Sequence, residues 1–196
     1  MDRNVATEDE FDSPLPRRTL LRRGATGVLS GGAVLLLAGC GSGAYSREAG
    51  ANPSGDSRIL ASALGAEREA IAAYQVGAES GLLSAGVLKL AVQFQDHHKQ
   101  HADLLATTIG KLGGVVEAPP ASYDFPVSKL KSEADVLRFA ASLEKGAVSA
   151  YLGAVPLFED RNLSRAAASI LGDEAMHWAV LRGAVGENPV PVAFVS

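Results

Sequence analysis

The sequence holds a single cysteine, Cys40, so neither an intrachain disulfide nor a cysteine-rich zinc site can form. Aromatic residues make up only 6% of the 196 residues, so the core has to come mostly from small aliphatic side chains. A basic excess is also missing. The 18 Lys and Arg stand against 22 Asp and Glu, a formal charge of −4, which argues against nucleic acid as a partner. No Gly-rich phosphate loop links a strand-like segment to a helix, so nucleotide binding has no support, and no Ser–His–Asp set is visible. The uncharged segment Gly24–Gly39 has 16 residues, short of the ~20 that span a bilayer as a helix. What is present is a chain 47% hydrophobic and 20% charged, a composition that folds.

The N-terminal region reads as an address. Pro16-Arg17-Arg18-Thr19-Leu20-Leu21-Arg22-Arg23 precedes the uncharged segment, the layout of an export signal. Arg17-Arg18-x-Leu20-Leu21 resembles a twin-arginine signal, with Pro16 ahead of the arginines and Leu20 where Phe is commoner. Leu37-Ala38-Gly39-Cys40 resembles a bacterial lipobox. That resemblance implies lipidation of Cys40, which would become the mature N-terminus and make the membrane a partner. The protein is then expected on the periplasmic or outer cell-surface side. One acyl chain anchors only marginally, and lipoproteins normally carry several. The expected organisation is a signal over 1–40, a Gly- and Ser-rich flexible tether over 41–56, a helical domain over 57–186 and an extended C-terminal tail over 187–196.

The domain has no alternating strand pattern and four segments of helical period. They run from about Ser57 to Ser80, from Ala85 to Leu112, from Ser132 to Pro156 and from Leu163 to Val185. The first two are joined closely, as are the last two. Between the second and third lies a long stretch with Pro119, Pro120 and Pro126. Such a loop in a compact domain fits an all-α four-helix bundle with one long crossover, in which the second and third helices run parallel. The two halves also repeat. Leu64–Tyr74 aligns with Ala141–Tyr151, and His98-Lys99-Gln100-His101 aligns with Glu174-Ala175-Met176-His177. Two copies of a helix pair imply a pseudo-two-fold axis.

Reading each helix at steps of three and four gives its core stripe. The stripes are Leu60, Leu64, Glu67, Ile71, Tyr74, Ala78; Val87, Ala91, Phe94, His98, His101, Leu105, Thr108, Leu112; Leu137, Ala141, Glu144, Val148, Tyr151, Val155; and Ala167, Ile170, Glu174, His177, Leu181, Ala184. Each is apolar except near its middle. A buried carboxylate costs several kcal/mol (roughly) unless it is paired or binds a metal. No Lys or Arg stands on these stripes, so a bound cation is the simplest compensation, with a layer of Glu–His hydrogen bonds as the alternative. A Glu-x-x-His pair puts both side chains on one side of a helix. One Glu from each of two helices plus an i, i+3 pair from each of the other two is the ligand layout of di-iron and di-manganese carboxylate bundles.

These features resemble the ferritin-like superfamily, most closely the bacterial exported ferritin-like domain proteins related to rubrerythrin and to desiccation-related proteins. The resemblance covers about residues 57–186. It implies metal ligation by Glu67, Glu144, Glu174 and His177, and by His101 as the histidine of the first Glu-x-x-His motif. His98 stands where the family normally has a glutamate and is the sixth candidate ligand, with a core histidine bonded to a neighbouring glutamate as the alternative. Three glutamates leave two divalent ions short of a fourth negative charge, so one ion, an asymmetric pair and an empty site are the alternatives. The resemblance implies iron or manganese, although His-rich ligation also suits zinc or copper. It further implies ferrous-iron oxidation or peroxide consumption, against a non-catalytic envelope module with a degraded site. Further copies of the chain are the other expected partner.

Around the stripes, Tyr74 and Tyr151 follow Glu67 and Glu144 by seven residues and stand as outer partners of the site or as plain core tyrosines. His97 lies one step off the stripe, in an outer or surface role. Glu69, Asp96 and Asp173 are expected to be solvated, with an outer bond to a histidine as the alternative for the two aspartates, and Met176 and Trp178 are expected to pack.

Overall fold

A computed structural model describes residues 55–195. The four periodic segments form helices α1 (Gly55–Glu79), α2 (Ala85–Lys111), α3 (Glu133–Ala154) and α4 (Arg161–Ala184). Their ends follow the local chemistry. The Ser132 side chain accepts from the Asp135 amide ahead of α3, and the Asp160 carboxylate accepts from the Asn162 amide ahead of α4. Gly81, Gly113 and Gly186 lie just past α1, α2 and α4 at φ of 70°, 74° and 75°, a conformation glycine adopts without a Cβ penalty. At the end of α3 the chain tightens into a 3-10 turn, Val155–Leu157, because the Pro156 ring cannot continue an α-helix.

The result is an all-α four-helix bundle. Helices α1 and α2 pack together, α3 and α4 pack together, and α1 packs on α3. Both ends of the bundle show how the pairs are oriented. At one end the Asp56 carboxylate of α1 accepts from the backbone amides of Glu159 (2.8 Å) and Asp160 (3.0 Å), at the start of α4. At the other the Ser84 amide, ahead of α2, donates to the Glu133 carboxylate at the start of α3. Helices α1 and α4 therefore start together, as do α2 and α3. The long crossover, residues 112–132, returns the chain along the bundle and contains only a single 3-10 turn, Val127–Lys129.

The apolar core is in two parts. Leu60, Leu64, Ala102, Leu105, Ile109, Tyr151, Ala167 and Ile170 form one cluster. Tyr74, Phe94, Leu137, Ala141, Trp178 and Leu181 form the other. The polar layer lies between them, with Tyr151 bordering it from one side and Tyr74 from the other. Toward the end of α2 the buried stripe leaves the expected path. Ile109 is buried where Thr108 was expected, and Leu112 is exposed. A real helix drifts by about 20° per heptad against a strict three-four alternation, and the error accumulates along α2. Met176 is also exposed, contrary to the packing role expected of it, whereas Trp178 packs in the second cluster.

Helix α1 starts at Gly55, two residues before the expected domain boundary, and Asp56 is buried. The C-terminal segment 187–195 has no helix or strand, and its Val195 packs against the second cluster. The twin-arginine pattern, Cys40 and the tether up to residue 54 lie outside the described residues. Among the described residues no helix is long and apolar enough to cross a membrane.

Candidate metal centre

Glu67 of α1, His98 and His101 of α2, Glu144 of α3, and Glu174 and His177 of α4 meet at one level of the bundle. All are buried but His101, which keeps a small exposed edge. The chain has four histidines in all, and every one is drawn to this layer. Glu67, His98, His101 and Glu174 offer donor atoms close enough to share one ion. His98, Glu144, Glu174 and His177 do the same for a second. All six residues expected at the site are thus brought together.

The pairing within the layer follows the repeat. Tyr151 of α3 donates to Glu67 Oε1 of α1 at 2.6 Å, and Tyr74 of α1 donates to Glu144 Oε1 of α3. Each tyrosine reaches the glutamate of the opposite helix, because α1 and α3 run antiparallel. These bonds hold one oxygen of each terminal glutamate; Glu67 Oε2 faces His98 and His101, whereas Glu144 Oε1 itself also faces His98 and His177. His98 lies between the two groups. Its Nδ1 is 2.8 Å from Glu67 Oε2 and its Nε2 is 3.3 Å from Glu144 Oε1.

The remaining donors are different. His101 Nδ1, His177 Nδ1, Glu144 Oε2 and both oxygens of Glu174 are buried and have no hydrogen-bond partner. They approach one another without hydrogen-bond geometry. Glu174 Oε1 lies 3.1 Å from His101 Nδ1, and Glu174 Oε2 lies 3.4 Å from His177 Nδ1. Buried polar atoms are rarely left unpaired, and each costs about 1–3 kcal/mol. Five in one layer, all of ligand type, are consistent with a dimetal site.

Two further residues belong here. Asp173 Oδ2 lies 3.0 Å from His97 Nδ1, 3.2 Å from His177 Nε2 and 3.5 Å from His101 Nε2. Asp173 was expected to be solvated. It instead faces the outward nitrogens of both inner histidines, a contact that fixes ring orientation at metal sites. It also brings the fourth negative charge that Glu67, Glu144 and Glu174 lack. His97 is the two-fold counterpart of Asp173, and the two touch. The signal was available in the sequence, because Asp173 precedes His177 by one helical turn and aligns with His97 in the repeat. Glu69 and Asp96 join none of these groups.

Without an ion, protons compensate the layer. Burial opposes charging His98, but Glu144 and Glu67 outweigh it and push His98 up to about 10. Burial likewise opposes His101 and His177, yet Glu174 and Glu67 raise the first to about 9, and Glu144 and Glu174 raise the second to about 9. Burial would raise Glu67 and Glu144, but their histidine contacts hold both below the usual carboxylate range. Glu174 goes the other way. Burial and the nearby Glu144 leave it raised despite His101 and His177. Burial, then the carboxylate each one bonds, raises Tyr74 and Tyr151.

Raised histidines stabilise fully below their ordinary value near 6.5, and that gain is lost as pH climbs through about 9 to 10. Lowered Glu67 and Glu144 stabilise above the ordinary 4.5, and that gain is lost on acidification. Thermal melts of chelator-treated protein are expected to peak between pH 4.5 and 6.5, with a fall of more than about 5 °C by pH 10. A flat profile, or a maximum near pH 9, contradicts this assignment of protons.

A family profile described as "Ferritin-like domain" matches residues 55–187, the four helices and the crossover together. The crystal structure of a conserved hypothetical protein from Mycobacterium tuberculosis is similar, with a TM-score of 0.62 and 24% identity over 71% of this chain and 96% of that one. At that identity the likeness concerns the fold. No curated protein matches the chain.

Proposed function

We propose that this chain, which belongs to the ferritin-like domain family, holds two transition-metal ions, iron or manganese, at the centre of its bundle and serves redox chemistry on oxygen or peroxide. The observation that carries this reading is the division of Glu174. Its two buried oxygens lack hydrogen bonds, and one faces each donor group. Glu67 and His101 would hold one ion and Glu144 and His177 the other, with Glu174 between the two ions. His98 lies across from it, one nitrogen toward each terminal glutamate. When bound, the ions supply one-electron redox and Lewis-acid chemistry.

The protein's own part is to orient and to shield. Tyr74 and Tyr151 fix Glu144 and Glu67 from opposite sides. Phe94 stacks on the His177 ring with centroids 4.0 Å apart and closes that flank to water. Asp173 holds the outer nitrogens of His101 and His177, and with the three glutamates it matches the charge of two divalent ions. A second reading has its own support. His98 already bonds two carboxylates on two other helices, as a layer that only fixed helix register would require.

Metal analysis of the purified soluble domain beside a Glu144→Ala, Glu174→Ala double variant separates the two readings. About two ions per parent chain, lost in the variant, with consumption of ferrous iron or peroxide, is the expected result. Substoichiometric metal unchanged by the substitutions returns the site to a hydrogen-bonded layer. Metal retained without turnover points to binding or storage.

We also propose export by the twin-arginine route and anchoring through lipidated Cys40, from the pattern Arg17-Arg18-x-Leu20-Leu21 and the single cysteine closing Leu37-Ala38-Gly39-Cys40. Cys40→Ser is expected to move the protein from the membrane fraction to the soluble fraction. An unchanged distribution on fractionation and immunoblotting would remove the lipid anchor.

A further inference from the structure

Outside the two inner donor groups, a third lies on their edge. His97 Nδ1, Asp173 Oδ2 and His177 Nε2 form a triangle with sides of 3.0, 3.2 and 2.9 Å. Neighbouring donors on an ion with bonds of about 2.1 Å at right angles lie about 3.0 Å apart, so the three atoms can occupy one face of a six-coordinate ion. Two imidazoles and a carboxylate, with the remaining positions toward solvent, suit iron(II), cobalt(II) or zinc(II).

Without an ion, one proton arrangement joins the three atoms, with His97 Nδ1–H toward Asp173 Oδ2 and a bare His177 Nε2. If His177 turns Nδ1 inward as a ligand, its proton sits on Nε2 and points at the other two atoms. His97 Nδ1 must then be bare, because two N–H groups cannot face each other at 2.9 Å. A bare nitrogen and a carboxylate oxygen are left 3.0 Å apart, both acceptors. The triangle can therefore take an ion only while His177 Nε2 is bare, before the inner position is filled.

Exposure falls steadily from this group inward. The side chains of His97, Asp173, His101, His177 and Glu174 are 31%, 22%, 14%, 2% and 0% exposed. Elsewhere the layer is enclosed by Tyr74, Tyr151, Phe94 and Ile170, all buried.

We propose that His97, Asp173 and the Nε2 side of His177 form an outer binding site for a divalent transition-metal ion, from which the ion passes to the buried pair. A neutral imidazole offers only one bare nitrogen, so His177 serves the outer position first and the inner one afterward. Loading is therefore sequential, and the outer ion leaves Nε2 as the inner position is filled. Passage inward rests on the dimetal reading, whereas capture at the outer site does not.

Cobalt(II) serves as the probe, followed by its visible absorption and by metal analysis. A Glu144→Gln, Glu174→Gln variant loses inner donors and keeps all three outer ones. It is expected to bind one cobalt per chain, and adding His97→Ala is expected to weaken that binding by about tenfold or more. In the otherwise native chain His97→Ala is expected to leave the final metal content unchanged and to slow uptake by about tenfold. Circular dichroism checks that each variant keeps its helices. If the inner-site variant binds no cobalt, or binds it equally with and without His97, the triangle is a hydrogen-bonded network only and the proposal is overturned, while two cobalts in the parent would leave the inner reading standing. If the parent binds a single cobalt that His97→Ala removes, the inner reading fails and the outer site stands.

Discussion

Glu174→Ala is expected to empty both inner positions, while Glu67→Ala and Glu144→Ala each empty one. The difference lies in the oxygens. Both Glu174 oxygens are buried without hydrogen bonds, one toward His101 and one toward His177. Glu67 and Glu144 belong to one outer half each, and each gives one oxygen to a tyrosine. After reconstitution with manganese(II) or with iron(II) under anaerobic conditions, the metal content of Glu174→Ala should fall close to zero and that of the other two to about half the parent's. The stability loss is small without metal and large with it. In metal-free protein, removing Glu174 relieves a buried carboxylate whose own pKa is raised, and this offsets part of the cavity left behind. In loaded protein the substitution abolishes a linkage stabilisation of about 3–4 kcal/mol at metal concentrations of 100 to 1,000 times Kd. A Glu174→Ala protein that keeps one full ion would show that the glutamate is not shared.

The second large effect is expected of His98→Glu. In metal-free protein His98 is the imidazole that joins Glu67 and Glu144 across three helices. Replacing it with glutamate removes that pairing and adds another buried carboxylate to the same layer. Breaking a buried pair costs about 3–5 kcal/mol, which for a domain of this size lowers Tm by more than about 10 °C. Divalent ions reverse the sign, because the added carboxylate replaces a neutral donor with a charged one. Calorimetric scans with chelator and with metal should therefore diverge far more in His98→Glu than in the parent. Equal losses in both conditions would mean that the layer holds no cation.

The fold was legible because the sequence carries it redundantly. The helical period, the glycines after α1, α2 and α4, the Ser132 cap and the proline-bearing crossover all agree, and the repeat fixes how the halves are related. The inner site was legible for a similar reason. Glu67, His98, Glu144, Glu174 and His177 interrupt apolar stripes at the same height, and burial follows from the stripe. A single helix does not reveal which residues meet across the bundle. Asp173 lies off the α4 stripe, so a single-helix view sends it to solvent. Its place against His97 arises only when α2 and α4 face each other across the two-fold axis. The tyrosine pairing was hidden in the same way, since spacing along α1 says nothing about the glutamate of α3. Ile109 was missed through helical drift, an error that grows with distance from the site.

The contacts at the two ends of the bundle bear on how freely this sequence can diverge. Asp56 binds two main-chain amides, and Glu133 binds one. Every amino acid except proline supplies such an amide, so Ser84 and Glu159 can change identity without giving up these junctions, while Asp160 is held in addition by its cap on α4. The whole demand falls on two acidic side chains, and the turns they fasten are left open to variation in length-preserving descendants of the gene.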